Sequence, residues 1–206
     1  MTIRLHRGDL PDSFRPAATV AIDTETLGLN PHRDRLCLVQ LSNGDGSADL
    51  VQIPAGATAA NAPNLVRLLS DPAVVKLFHF GRFDIAVLKH TFGVTTTPVF
   101  CTKIASRLAR TYTDRHGLKD LVRELVGVDL SKQQQSSDWA AAELTEAQMA
   151  YAASDVLYLH ECKAKLEAML TRDGRMDLAQ ACFTFLPARA ALDLAGWAEE
   201  DIFAHS

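Results

Sequence analysis

Three apolar segments crowd the first quarter of the chain and limit what the remainder can become. TVAIDTE (19–25), RLCLVQLS (35–42) and SADLVQI (47–53) are short, rich in aliphatic residues and bounded by turn formers, which is the pattern of strands. Asn43, Gly44, Asp45 and Gly46 between the last two give a hairpin signal. The chain therefore opens as an antiparallel meander. A short strand and loop precede it over residues 1–18, where Pro11 and Pro16 interrupt regular structure.

The pattern then changes to alternation. A helix over 61–70 ends at Asp71-Pro72. VVKLFHF (74–80) reads as a buried strand, and FDIAVLKHTF (83–92) as a helix stopped by Gly93. A short strand at 98–100 and a helix at 102–110 follow. GLKDLVRELVG (117–127) has apolar residues at helical spacing and closes on glycine. SKQQQSSDW (131–139) is a polar loop. A long helix opens near Thr145, with Gln148 placed to complete a capping box, and runs to about 171. Residues 175–202 read as more helix.

A meander followed by strand–helix alternation predicts an α/β fold, a mixed sheet flanked by helices with a short helical C-terminal tail. Asp173-Gly174 is the one candidate boundary. It divides a main domain, 1–172, from an extension, 173–206, that is too small to fold alone and packs on that domain or on a neighbouring subunit.

Composition narrows the function. With 206 residues, 48% of them hydrophobic, the chain can bury a core without disulfide or structural metal. Its net charge of −4 lacks the basic excess of a non-specific duplex binder. Any nucleic acid is then gripped locally, is short, or meets basic residues gathered by an oligomer. Cys37, Cys101, Cys162 and Cys182 show no C-x-x-C spacing, which argues against zinc and for free thiols in a reducing compartment. The opening MTIRLHRGDLPDSF has no apolar run, and no stretch approaches the roughly 18 apolar residues of a membrane span. The expectation is a soluble, cytoplasmic protein with no membrane partner.

Three acidic sites stand out. Asp23 and Glu25 are two apart on a strand and share a face. Such a pair is either a polar face in water or half of a cation site, since like charges repel unless a cation lies between them. Asp84 falls where the strand 74–80 gives way to a helix, as a helix-terminal aspartate or a third ligand. Tyr151 and Asp155 lie one helical turn apart, as a packing pair or as part of the same site. Each is ambiguous alone. Together they make a hard-oxygen set suited to Mg²⁺ or Mn²⁺. Two such ions would clamp an in-line phosphoryl displacement, with Tyr151 orienting or deprotonating the attacking water. Around them, His79, Phe80 and Phe83 cluster at a strand end, Phe80 reading as core and Phe83 as a face for stacking bases.

AIDTETLGL, FHFGRFDIAVL and YAASDVLYL resemble the three exonuclease motifs of the DEDD superfamily in its tyrosine branch, in order and spacing over about residues 17–171. RLCLVQLS and SDWAAAELTEAQMAYAASDV are similar to ribonuclease D. The resemblance implies a ribonuclease H-like fold and a two-metal 3′-to-5′ exonuclease releasing nucleoside 5′-monophosphates. Asp23, Glu25, Asp84 and Asp155 match its metal ligands and Tyr151 its catalytic tyrosine. Ribonuclease D carries helical domains after the nuclease. The compact length and the MTIRLHRGDLPD start instead resemble nanoRNase C. That likeness implies action on very short RNA, diribonucleotides such as pGpG, and a homo-octameric ring. Leu29 matches the leucine that wedges between bases in DEDD oligoribonucleases, or is an ordinary buried leucine. Thr24, Leu29, His79 and Phe83 are the expected substrate-binding residues.

Lys103, Arg107 and Arg110 fall at helical spacing and form either a solvated face or a phosphate-binding stripe. Lys132 and the 133–137 run are candidates for gripping a 5′ phosphate. His90, His116 and His160 read as structural or surface residues. Two alternatives remain beside the short-RNA enzyme: a general RNA or DNA 3′-exonuclease, and an inactive nuclease fold used for binding.

Overall fold

Six strands form one sheet in the order β1-β4-β3-β2-β5-β6. The computed structural model describes residues 2–131 and 133–205. In chain order the strands are β1 (Thr2–Arg7), β2 (Thr19–Thr26), β3 (Leu36–Ser42), β4 (Ser47–Gln52), β5 (Val75–Phe78) and β6 (Val99–Cys101). The expected meander is present, with β2–β3 and β3–β4 antiparallel. β5 and β6 extend it in parallel from β2, and β1 lies parallel to β4 at the far edge. This is the mixed α/β sheet that the sequence pattern predicts. The β1 edge is blunted by charge: Arg4 and His6 both bond the Asp49 carboxylate at 2.8 Å.

The helices are α1 (Pro63–Ser70), α2 (Gly81–Phe92), α3 (Thr102–Ala109), α4 (Leu118–Val126), α5 (Glu146–Leu157), α6 (Leu159–Arg172) and α7 (Met176–Leu192). Gly93 ends α2 in the left-handed conformation, with φ 67°. Thr145 and Gln148 form the expected capping box at the start of α5. The single helix expected over 145–171 is two, divided at Tyr158. Neither proline nor glycine marks the break. α5 packs on β3 and β4, α6 packs on α3 and α4, and serving both requires a change of axis. His160 fixes the start of α6 by bonding the Thr19 carbonyl at 3.1 Å. α7 packs on α2, α3 and β6 and passes into a wide turn, Asp193–Trp197, which Gly196 closes at φ 108°.

β2 is the central strand and sorts its side chains to two faces. Val20 and Ile22 join the main core with Leu41, Val51, Ile85 and Leu88. Leu38 and Leu50 lie on the other face, that of Asp23 and Glu25, and pack with Trp139 and Ala152. Burying one such aliphatic side chain stabilises by about 1.5–3 kcal/mol. A one-residue slip of β2 would exchange Ile22 for Asp23 in the core, so burial enforces the register.

Candidate active site

The cleft forms where β2 leaves the sheet between α2 and α5. Asp23, Glu25 and Asp155 offer carboxylate oxygens that all lie within 4.8 Å of one another. Asp23 and Glu25 come from one face of β2. Asp155 comes from α5, which crosses that face on the small residues Ala152 and Ala153. Asp84 stands slightly apart from this group of three. It occupies the first turn of α2 and is buried. Thr24, between Asp23 and Glu25 on β2, donates its hydroxyl hydrogen to Asp84 Oδ1 at 2.7 Å. Asp23 Oδ2 accepts from Gln40 Nε2 at 3.2 Å, across the β2–β3 pair.

Crowded and desolvated carboxylates resist ionisation. Burial, then the charges of Asp84, Asp155 and Glu25, push Asp23 well above the usual range. Burial and the charges of Asp155 and Asp84 raise Glu25 to about 9. Burial raises Asp84 to about 7, against the hydrogen bond from Thr24. Asp155 also rises to about 7, mainly through burial, with the neighbouring Tyr151 hydroxyl opposing. Burial and the charges of Asp155, Glu25 and Asp23 push the Tyr151 phenol up, so it stays protonated at neutral pH.

The cleft encloses about 350 Å³. His79, Phe80, Lys103, Lys119, Leu130 and Gln135 complete its walls beside the carboxylates and Tyr151. A second groove of about 560 Å³ adjoins it, lined by Leu29, His32, Phe80, Phe83 and Asp193 among others.

The expected substrate-binding residues occupy different environments. Leu29 is 84% exposed, so it is no core leucine. Its loop is stiffened from within, Asn30 N bonding Asp34 Oδ2 at 3.0 Å and Arg33 bonding both Asp34 oxygens. Thr24 is buried, with its hydroxyl spent on Asp84. His79 Nδ1 sits 2.9 Å from Thr102 Oγ1, and burial pushes the ring down to about 3, so it is neutral. Phe83 packs against the core while bordering the second groove. Phe80, read from the sequence as core, is instead 46% exposed. Its backbone is left-handed, which turns the ring out of the strand.

The basic stripe also changes. Arg110 is fully buried and bonds Ser106 Oγ at 2.9 Å, the Arg115 carbonyl at 2.8 Å and the Glu124 carboxylate. It therefore braces the turn that leads into α4, and only Lys103 of the three reaches the cleft. Lys132 lies outside the described residues. Gln135 from the adjacent run lines the cleft.

Sequence reasoning missed Gln40 and Trp139. Gln40 interrupts the apolar run of β3 directly opposite Asp23, a register that pairing the two strands would have exposed. Trp139 is buried with its ring centroid 6.0 Å from that of Tyr151 and sets that tyrosine from behind.

Residues 10–171 match the family described as 3′-5′ exonuclease. Ribonuclease D of Acidiphilium cryptum (strain JF-5) is 39% identical over 168 residues, 82% of this chain and 42% of that protein. The chain thus spans about two fifths of the length of the curated ribonuclease D relatives it matches. Among solved structures, Brucella melitensis NrnC with bound Mg²⁺ is 65% identical, with a TM-score of 0.95 and full coverage of both chains. Brucella melitensis NrnC bound to pGG is 66% identical, with the same TM-score and coverage.

Proposed function

The chain belongs to the 3′-5′ exonuclease family, and on that footing we propose that it is a divalent-metal-dependent 3′-to-5′ exoribonuclease releasing nucleoside 5′-monophosphates from short oligoribonucleotides. The observation that carries this reading is the convergence of Asp23, Glu25 and Asp155 within 4.8 Å on the floor of a cleft.

The donor set fits hard divalent cations. It consists of carboxylates alone, and their mutual repulsion is relieved by positive charge. Asp23, Glu25 and Asp155, with Asp84 behind them, would hold Mg²⁺ or Mn²⁺. Such ions, a pair by family resemblance, lower the pKa of a bound water and stabilise charge on the leaving oxygen. The residues of the chain supply the rest. Thr24 fixes the Asp84 carboxylate and Gln40 fixes Asp23. Tyr151, one helical turn from Asp155 and on the wall of the cleft, is placed to orient or deprotonate the attacking water. Lys103 and Lys119 present positive charge to phosphate along the cleft. Leu29 projects as an apolar wedge for bases, Phe83 borders its groove, and His79 braces the wall through Thr102.

The likeness to Brucella NrnC bound to pGG supports a diribonucleotide as the preferred substrate. The test compares two-residue RNA, RNA of about 20 residues and duplex DNA in one buffer. A strong preference for the two-residue RNA is expected. Equal rates per end on all lengths would sink the short-RNA assignment. No hydrolysis with either metal would sink the enzyme reading.

We assign the nuclease unit to residues 1–172 and treat 173–206 as an extension. Phe185, Trp197, Ile202 and Phe203 in that extension are exposed apolar residues, which supports a homo-oligomer, an octameric ring by resemblance. Light scattering on the purified protein tests this. No helix among the described residues is long and apolar enough to cross a membrane. The cysteines are free, and the cytoplasm is the compartment we propose.

A further inference from the structure

Phe80 adopts φ 65°, ψ 37°, and is the one non-glycine residue at positive φ among the described residues. For a bulky side chain this backbone is a steric outlier, whereas glycine and asparagine adopt it at little cost. Burial does not compensate. The neighbouring Phe78 is fully buried, but the Phe80 ring is 46% exposed. The next position is tight as well, because a Cβ at Gly81 would come within 2.8 Å of Phe78 Cβ, and only glycine fits there. The outcome is a ring standing as the shared wall between the carboxylate cleft and the Leu29 groove. Lys103 Nζ lies 4.2 Å from the ring centroid and holds the ring from one face. Strained residues of this kind persist where the strain serves a site.

We propose that Phe80 is the platform on which a nucleobase of the substrate stacks, at the junction of the cleft and the groove, with Lys103 as its positioning residue. The inference rests on the exoribonuclease reading and deepens it. A phosphodiester seated at the carboxylates carries its bases to either side, and the ring bordering both hollows is Phe80. An aromatic face accepts any base, because every base has a π-face. This suits an enzyme that must clear short RNA of any sequence.

Equilibrium binding of pGG in calcium, with hydrolysis followed separately in magnesium, provides the test. Phe80→Gly is expected to raise Kd about tenfold, the fold-change that a lost stacking contact corresponds to. Phe80→Asn, which also tolerates the left-handed backbone, should do the same. Phe80→Tyr should bind within about twofold of the wild type. The glycine variant should melt no lower than the wild type, since it relieves the backbone. A Kd for the glycine variant within about twofold of the wild type overturns the platform, as does a tyrosine variant that binds no better than the glycine one. Wild-type protein that does not bind pGG also overturns it. If pGG binds in a Phe80-dependent way but is never hydrolysed, the platform is supported and the exoribonuclease reading fails.

Discussion

Replacing Asp84 by asparagine should stabilise the metal-free protein, and increasingly so as pH rises. Asp84 is 3% exposed, and burial lifts its carboxyl from an ordinary 3.8 to about 7. The sign follows from linkage. The folded state holds this proton more tightly than the unfolded state does. The group's contribution is therefore intact below about pH 4 and is lost as pH climbs to about 7. Between about pH 5 and pH 8 the folded protein gives up roughly 2 pKa units of that advantage, or about 2–3 kcal/mol at 1.36 kcal/mol per unit. Asparagine has no proton to lose and keeps the oxygen that accepts from Thr24. For a chain of this size each kcal/mol moves the melting midpoint by roughly 2–4 °C. Calorimetric melts in chelator at about pH 5 and pH 8 should thus show the variant gaining roughly 5–10 °C on the wild type across that interval. Millimolar Mg²⁺ should remove most of the wild-type deficit at the higher pH. A difference between the two proteins that stays constant with pH would refute the argument that Asp84 is a buried, uncompensated carboxylate.

Glu25→Gln should abolish hydrolysis and shrink the Mg²⁺-induced rise in melting temperature, which scanning fluorimetry with and without the metal can read. Tyr151→Phe should lower kcat about 100-fold while keeping KM within about threefold and the metal-induced shift intact, because only the water-directing hydroxyl is lost. Thr145→Ala should cost about 1 kcal/mol in urea denaturation, since it removes the capping box at the start of α5. Arg110→Ala should cost about 1–3 kcal/mol in the same assay, because Ser106 and the Arg115 carbonyl lose a shared buried donor while the half-exposed Glu124 regains water.

The meander and the candidate pairs Asp23 with Glu25 and Tyr151 with Asp155 are legible in the sequence because their signals are local. Period-two alternation places Asp23 with Glu25, and one helical turn places Tyr151 with Asp155. What stays hidden depends on partners distant in the chain. Arg110 looks like a surface cation until Glu124 and the Arg115 carbonyl close over it. Phe80 looks like strand core because nothing in FHFGRF announces a left-handed residue. The break at Tyr158 is equally silent, since it arises from two helices serving different neighbours. Hydrophobic pattern reports which face is buried and leaves open what lies against it.

The carboxylates arise from β2, the first turn of α2 and the last turns of α5, so they are far apart in the order of synthesis. A chain emerging from the ribosome holds Asp23 and Glu25 early and cannot assemble the group until residue 155 has cleared the exit tunnel and α5 has docked on the sheet. On the proposed assignment the nascent protein is harmless to the message that encodes it. On that assignment cutting power waits for α5 to dock on β3 and β4, although the last strand, β6, ends as early as Cys101.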